Sequence, residues 1–221
     1  LTKNKYTSKA SSTRKNCDFF KYSSKFFSSI IERDRITSLF ESHKESLNSN
    51  ELNLLDSKVG DSIAVDGVCL TATEVADNWF SADISNETMS CTTFSKLTQG
   101  QNVNLEKSLR LNQGIDGHLV SGHVDGVGAV NSIDKDGESI RIKIEVQSDI
   151  VKYIAKKGSI CVNGVSLTVN SVENNIFDVN IVPHTFSVTT LGELKLNSIV
   201  NLEIDQVARY VERLLTLKDH R

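Results

Sequence analysis

Apolar residues fall in short bursts along this chain, and most bursts have the period of a β-strand. Ile140-Arg141-Ile142-Lys143-Ile144-Glu145-Val146 alternates apolar and charged residues without a break. One face of such a segment can be buried while the other stays in water. Ser62 to Thr73 alternates in the same way around Asp66-Gly67, a dipeptide that favours a tight hairpin turn. Ile176 to Ile181 and Ile199 to Ile204 also have strand length. Turn residues recur at Asp77-Asn78, Asp134-Lys135-Asp136-Gly137 and Glu173-Asn174-Asn175. Helical patterns are few. Asp149 to Ala155 and Thr189 to Leu194 suit short connecting helices. Gln206 to Lys218 sets Val207, Tyr210, Val211, Leu214 and Leu215 on one stripe. Many short strands with few helices predict a mainly β fold of small antiparallel barrels, whose closure removes exposed strand edges.

The pattern also repeats. Ser62-Ile63-Ala64-Val65-Asp66-Gly67-Val68-Cys69-Leu70-Thr71 returns 97 residues later as Ser159-Ile160-Cys161-Val162-Asn163-Gly164-Val165-Ser166-Leu167-Thr168. The register holds without a gap from Ser62 to Glu106 and from Ser159 to Glu203, with 20 identities in 45 pairs. Roughly 3 would arise by chance at ordinary residue usage. Upstream, Ser28-Ser29-Ile30-Ile31-Glu32 matches Ser121-Gly122-His123-Val124-Asp125 at an offset of 93. The chain therefore reads as two copies of one domain, which invites the binding of two copies of a similar ligand. The expected units are 26–116 and 117–205. The helix at 206–221 lies outside the repeat, and its apolar stripe is expected to face other subunits.

Composition narrows the classes. The 221 residues suffice for two domains of about 100 residues each. A net charge of -3 offers no basic field for nucleic acid, and no apolar run has the length of a membrane span. Cys17, Cys69, Cys91 and Cys161 show no metal-type spacing and read as reduced thiols of an intracellular protein. Residues 1–25 stand apart. They carry Lys3, Lys5, Lys9, Arg14, Lys15, Lys21 and Lys25 against Asp18 alone, with many serines. Such a segment resembles either a transit-sequence remnant or a disordered basic arm, and the chain opens on Leu1, as a fragment or processed form would. Plastid and cytoplasm are both compatible.

The paired Gly-Val-Cys-Leu-Thr and Gly-Val-Ser-Leu-Thr segments resemble the riboflavin synthase family. So do Gly117-His118-Leu119-Val120-Ser121-Gly122-His123-Val124-Asp125-Gly126 and Ile181-Val182-Pro183-His184-Thr185. The resemblance runs from about Phe27 to Leu215. It implies two tandem six-stranded antiparallel Greek-key barrels, a C-terminal helix, a homotrimer and an association with lumazine synthase. It also implies a reaction in which two molecules of 6,7-dimethyl-8-ribityllumazine exchange four carbons. The products are riboflavin and 5-amino-6-(D-ribitylamino)uracil. The active site would lie between the first barrel of one subunit and the second barrel of its neighbour, with no cofactor and no metal.

The site residues follow partly from chemistry and partly from that resemblance. Histidine as a residue type can carry protons near neutral pH, and His123 sits in a glycine-flanked turn that a ligand can approach, which suits proton transfer. Its bland reading is a structural histidine at the domain junction. His118 is the weaker second histidine, and the two alone make no zinc site. Cys69, Leu70 and Thr71 in the first copy, and Ser166, Leu167 and Thr168 in the second, offer small polar groups beside a flat ring. Ordinary strand residues would look the same. The Cys69/Ser166 difference makes the two sites unequal. By resemblance, Ser62 and Asp205 join His123 and Cys69 near the chemistry. Asp205 also reads as a helix N-cap. The resemblance further implies that Asp83, Ile84, Ser85, Asn86, Glu87 and Thr88 wrap one ligand, and Ile181, Val182, Pro183, His184, Thr185 and Phe186 the other. Ser29, Ile30, Ile31, Gly122, Val124 and Lys157 complete the pockets. Asn86-Glu87-Thr88 doubles as a glycosylation signal, which an intracellular protein would not use.

The match departs from the family at Ser29, where the family carries glycine, and over the polar stretch from Arg33 to Asp56. That leaves a second reading, a non-catalytic lumazine- or flavin-binding protein of the same fold. A flavin reductase is disfavoured, because the glycines from Gly122 to Gly128 open no nucleotide-binding unit.

Overall fold

The computed structural model describes residues 21–22, 32–37, 52, 54–76, 79–98, 101–115 and 117–217. The basic arm apart from Lys21 and Tyr22, the site residues Ser29, Ile30 and Ile31, and the Asp77-Asn78 turn lie outside these.

The first half contributes strands β1 (Lys21–Tyr22), β2 (Glu32–Thr37), β3 (Ser62–Val65), β4 (Val68–Ala76), β5 (Trp79–Ala82) and β6 (Asn102–Lys107). They form one sheet in the order β1-β2-β6-β3-β4-β5. The second half contributes β7 (Gly126–Asp136), β8 (Ser139–Val146), β9 (Ser159–Val162), β10 (Val165–Glu173), β11 (Ile176–Ile181) and β12 (Ile199–Ile204). These close into an antiparallel barrel in the order β10-β11-β8-β7-β12-β9. The fold is therefore mainly β, with one closed barrel and one open six-stranded counterpart.

The sequence repeat is a repeat of register. Ser62 pairs with Thr71 and Val65 with Val68, as Ser159 pairs with Thr168 and Val162 with Val165. Glu32 pairs with Leu105, as the Asp125 amide bonds the Leu202 carbonyl at 2.8 Å. Alternation then sorts the side chains. Ile63, Val65, Val68, Leu70 and Ala72 are buried in one core, and Ile160, Val162, Val165 and Val169 in the other. Thr71 and Thr168 point outward and are exposed. The outer faces of both halves are thus free to carry a site.

The two halves meet turn to turn. Asp66-Gly67 and Asn163-Gly164 both hold left-handed backbone, with φ of 44° and 77°, and of 47° and 84°. These are the torsions of a tight two-residue hairpin turn. A Cβ on Gly67 would fall 2.6 Å from the Gly164 nitrogen, so the turns touch only because both are glycine. Around them the bonds are exchanged reciprocally. Asn104 Nδ2 donates to the Asn163 carbonyl at 2.8 Å, and Asn201 Nδ2 to the Asp66 carbonyl at 2.9 Å. The same amides accept on their oxygens, from Thr190 N–H and Thr93 N–H, each at 2.8 Å.

Helices are short, and three differ from expectation. Helix α1 (Asn86–Cys91), unforeseen in the sequence, is capped by the Ser85 hydroxyl, which accepts the Thr88 N–H at 3.1 Å. Helix α2 is only Ser148–Val151, shorter than the expected stretch to Ala155. Helix α3 runs Pro183–Val188, and Thr190–Glu193 is a 3-10 turn. The helical pattern at Thr189 to Leu194 was thus displaced: proline at the first position starts the helix earlier. The last helix, α4 (Gln206–Thr216), docks on the second barrel through its polar face. Arg209 bonds Asp125 at 2.9 and 3.0 Å, Gln206 bonds Ser121 at 2.9 Å, and Glu212 bonds Lys152 and Tyr153. Its apolar stripe points away, with Val207, Tyr210, Leu214 and Leu215 more than half exposed.

Candidate active site

The segment 117–125, which joins the halves, organises the site. Its amides are fixed by one buried carboxylate. Glu203, 2% exposed on β12, accepts the N–H groups of Ser121 and Gly122 at 2.8 Å each. The Cys69 N–H donates to the Gly122 carbonyl at 2.8 Å. Gly122 itself has φ +76°, and a Cβ there would lie 2.6 Å from Cys69 Cβ. Glycine is demanded both by the torsion and by the contact. His123 follows, exposed to solvent, and Val124 packs against the core of the first half. Gly122 thus lies against Cys69 and Val124 against the core of the first half, with exposed His123 between them in the chain, although Gly122, His123 and Val124 all belong to the second copy in sequence.

Four residues upstream of Gly122 the same segment reaches the second barrel. His118 Nδ1 lies 2.6 Å from Ser166 Oγ, and the His118 N–H donates to that oxygen at 3.3 Å. A Cβ on Gly117, whose φ is +127°, would fall 2.6 Å from Ser166 Oγ. The imidazole is half-buried, and burial lowers its pKa, opposed by the charges of Asp205 and Glu203. Its Nε2 is buried with no protein partner among the described residues. His118 is thus placed more definitely than the sequence suggested.

The remaining residues fall into two matched groups. Ser62 lies across from Thr71 and lines a cleft of about 260 Å³ with Asp61, Lys107, Ser108 and Arg110. Asp83, Asn86 and Glu87 are exposed around the start of α1, while Ile84 packs on the first core. In the second half, Leu167 and Phe186 pack against the barrel core and Ile181 is part of it. Val182, Pro183 and His184 are exposed where α3 begins, and Thr185 is half-buried. Asp205 caps α4, its Oδ1 accepting the Val207 N–H at 3.0 Å. Its helix-cap reading is borne out, and its charge also reaches His118. Within one chain the structure brings Gly122, next to His123, onto Cys69, and His118 onto Ser166 within reach of the Asp205 charge. The α1 and α3 groups stay on their own halves.

Two features escaped the sequence. Asn180, the counterpart of Asp83 at the 97-residue offset, accepts from Asn170 Nδ2 at 3.1 Å and from Arg141 Nε at 3.3 Å. The repeat itself could have found it. Lys157 has φ +66° and donates its N–H to Val169 at 2.8 Å; its counterpart Gly60 has φ +95° and donates to Ala72 at 2.8 Å. The other described non-glycine residues with positive φ are Asp66, Asn163, Asn174 and Asn197. A lysine in this region is the exception.

A duplicated β-barrel unit, with polar outward faces and with His118 and His123 on one connecting segment, defines a protein of two tandem lumazine-binding domains. The lumazine binding domain pattern matches residues 29–108 and again 121–205. The riboflavin synthase of Photobacterium phosphoreum is 47% identical over 86% of this chain and 88% of its own length. That of Bacillus subtilis is 36% identical over 86% and 89%. The crystal structure of LumP complexed with 6,7-dimethyl-8-(1'-D-ribityl) lumazine superposes with a TM-score of 0.62 and 25% identity, covering 83% of this chain and 94% of LumP. The chain belongs to the riboflavin synthase family.

Proposed function

We infer that this protein is a riboflavin synthase. It converts two molecules of 6,7-dimethyl-8-ribityllumazine into riboflavin and 5-amino-6-(D-ribitylamino)uracil. The observation that supports the reading is the packing of Gly122, the residue before the exposed His123, against Cys69 on one half of a duplicated lumazine-binding fold. A proton carrier and a small polar group then flank one of two matched outer faces. The non-catalytic alternative is not favoured, since relatives up to 47% identical are riboflavin synthases while LumP is 25% identical.

The substrate supplies much of the reactivity. Its C7 methyl is acidic because the carbanion delocalises into the pteridine ring. The protein's part is to hold two rings face to face, which can lower the barrier by roughly 7 to 11 kcal/mol in favourable cases, and to move protons at their rims. The outward Thr71 and Thr168, with the α1 and α3 openings, form two half-sites. Their exposure supports completion by a neighbouring subunit. The unpartnered stripe of α4 supports the same assembly, which we take to be a homotrimer, and sedimentation should report three chains per particle.

The test is direct. Protein mixed with 6,7-dimethyl-8-ribityllumazine alone should yield one riboflavin per two lumazines consumed. Tight binding without riboflavin would leave a lumazine-binding protein instead.

A further inference from the structure

Two histidines of the site, His118 and His123, lie on the segment that joins the halves, and neither has a histidine as its counterpart in the first copy. At the 93-residue offset, His118 corresponds to Lys25 and His123 to Ile30. The segment nevertheless serves both halves, bringing Gly122 to Cys69 and Gly117-His118 to the matching Ser166. We propose that His118 and Ser166 form a proton relay for the second-half site, with Ser166 touching the ligand and His118 acting through it as a positioning residue. This rests on the riboflavin synthase reading.

The hydrogen bonds leave the relay direction open to the tautomer in which Nδ1 accepts. Ser166 Oγ accepts from the His118 backbone N–H, so its own proton is free to point at Nδ1, 2.6 Å away. A neutral imidazole that accepts on Nδ1 carries its proton on Nε2. That Nε2–H is buried without a protein acceptor among the described residues, which leaves it to a ligand or a neighbouring subunit. Burial favours the neutral ring, the form able to take a proton. The charged groups facing the ring are Asp205 and Glu203, and both favour the imidazolium once it forms. Arg209 is turned away, bonded to Asp125. A neutral base with carboxylates behind it has the arrangement used to draw a proton through a hydroxyl.

The step balances without a co-reactant. A C7-methyl proton passes to Ser166 Oγ as the hydroxyl proton passes to His118 Nδ1. The C–H electron pair stays in the pteridine ring, and the ring of His118 becomes the cation. The reverse transfer returns the proton to product.

The experiment compares riboflavin formation by the wild type, His118→Asn, Ser166→Ala and the double variant. It includes pH profiles of kcat and thermal midpoints. Asparagine keeps an acceptor near Nδ1 but does not titrate. Each single variant should lose about 100-fold in kcat, with KM changed less than about 3-fold. The acid limb of the wild-type kcat profile should vanish in His118→Asn. The double variant should be no slower than the slower single one, since the two act as a unit. Ser166→Cys, which copies Cys69, should recover most of the rate. Losses that multiply in the double variant, or an acid limb unchanged in His118→Asn, would sink the relay. Should His118→Asn not fold, Ser166→Ala against Ser166→Cys decides alone: equal rates overturn it. A wild type that forms no riboflavin defeats the enzyme reading and the relay together, whereas active variants defeat the relay only.

Discussion

Asp66 and Asn163 occupy matching places in the two halves and make matching bonds. The Asp66 Oδ1 accepts the Asn104 N–H at 2.8 Å, and the Asn163 Oδ1 accepts the Asn201 N–H at 2.7 Å. Both side chains are buried. One carries a titratable group and the other does not. Burial therefore pushes the Asp66 carboxyl up to about 7, against the pull of the Asn104 amide. The second half shows that the seam needs only an acceptor, so the charge that Asp66 acquires at high pH is a cost without structural return. Similar geometry with different protonation chemistry recurs in the site, where Cys69 stands in one half and Ser166 in the other.

Substitutions can break or sharpen this contrast. The largest effect is expected at His123, which has isoleucine as its counterpart. His123→Ala should slow riboflavin formation by about 100-fold or more while lumazine affinity, read by fluorescence titration, stays near wild type. Gly122→Ala should follow. The added methyl meets Cys69 in a torsion that favours glycine, and denaturant unfolding should show a loss of about 3 kcal/mol. Asp66→Asn makes the two turns alike. The native carboxyl holds its proton to higher pH than the unfolded one, so wild-type stability is lost as pH rises from near 4 through 7. Between pH 5 and 7 the loss should be about 2 kcal/mol, and Asp66→Asn should flatten that window. A variant as pH-sensitive as wild type would mean that Asp66 is not the group responsible. The smallest effect belongs to Asp205→Ala, which removes a helix cap worth about 1 kcal/mol and should lower the thermal midpoint by a few degrees.

Much of the fold was legible because the core-facing residues alternate. Ile140 to Val146, Ile176 to Ile181 and Ile199 to Ile204 became β8, β11 and β12 with at most one residue added. The short helices were not legible in the same way. Six residues give less than two turns, so α1 and α3 have no apolar period to read. Their starts are set by Ser85 as a cap and by Pro183. The site was legible as types of residue rather than as neighbours. Gly122 and His123 were chosen as pocket residues, but nothing local in sequence says that Gly122 lies on Cys69, some fifty residues earlier. His118 looked secondary because its partner, Ser166, belongs to a strand two hairpins away. For α4, the stripe was visible, yet which face docks is decided by Arg209, Gln206 and Glu212 finding partners on the second barrel.

The turn-to-turn seam has a consequence for origin. Asn104 reaches across to Asn163, and Asn201 reaches back to Asp66. Each element thus meets the equivalent of itself, as in the contact between identical subunits related by a two-fold axis. A single-domain ancestor carrying one such turn and one such asparagine would already have held the surface needed to pair with its own copy. Joining the copies into one polypeptide would preserve that pairing while releasing the two halves from identity. The first could then acquire an aspartate and a cysteine, and the second a histidine, that the other lacks. An enzyme that must treat two molecules of one compound differently needs that freedom.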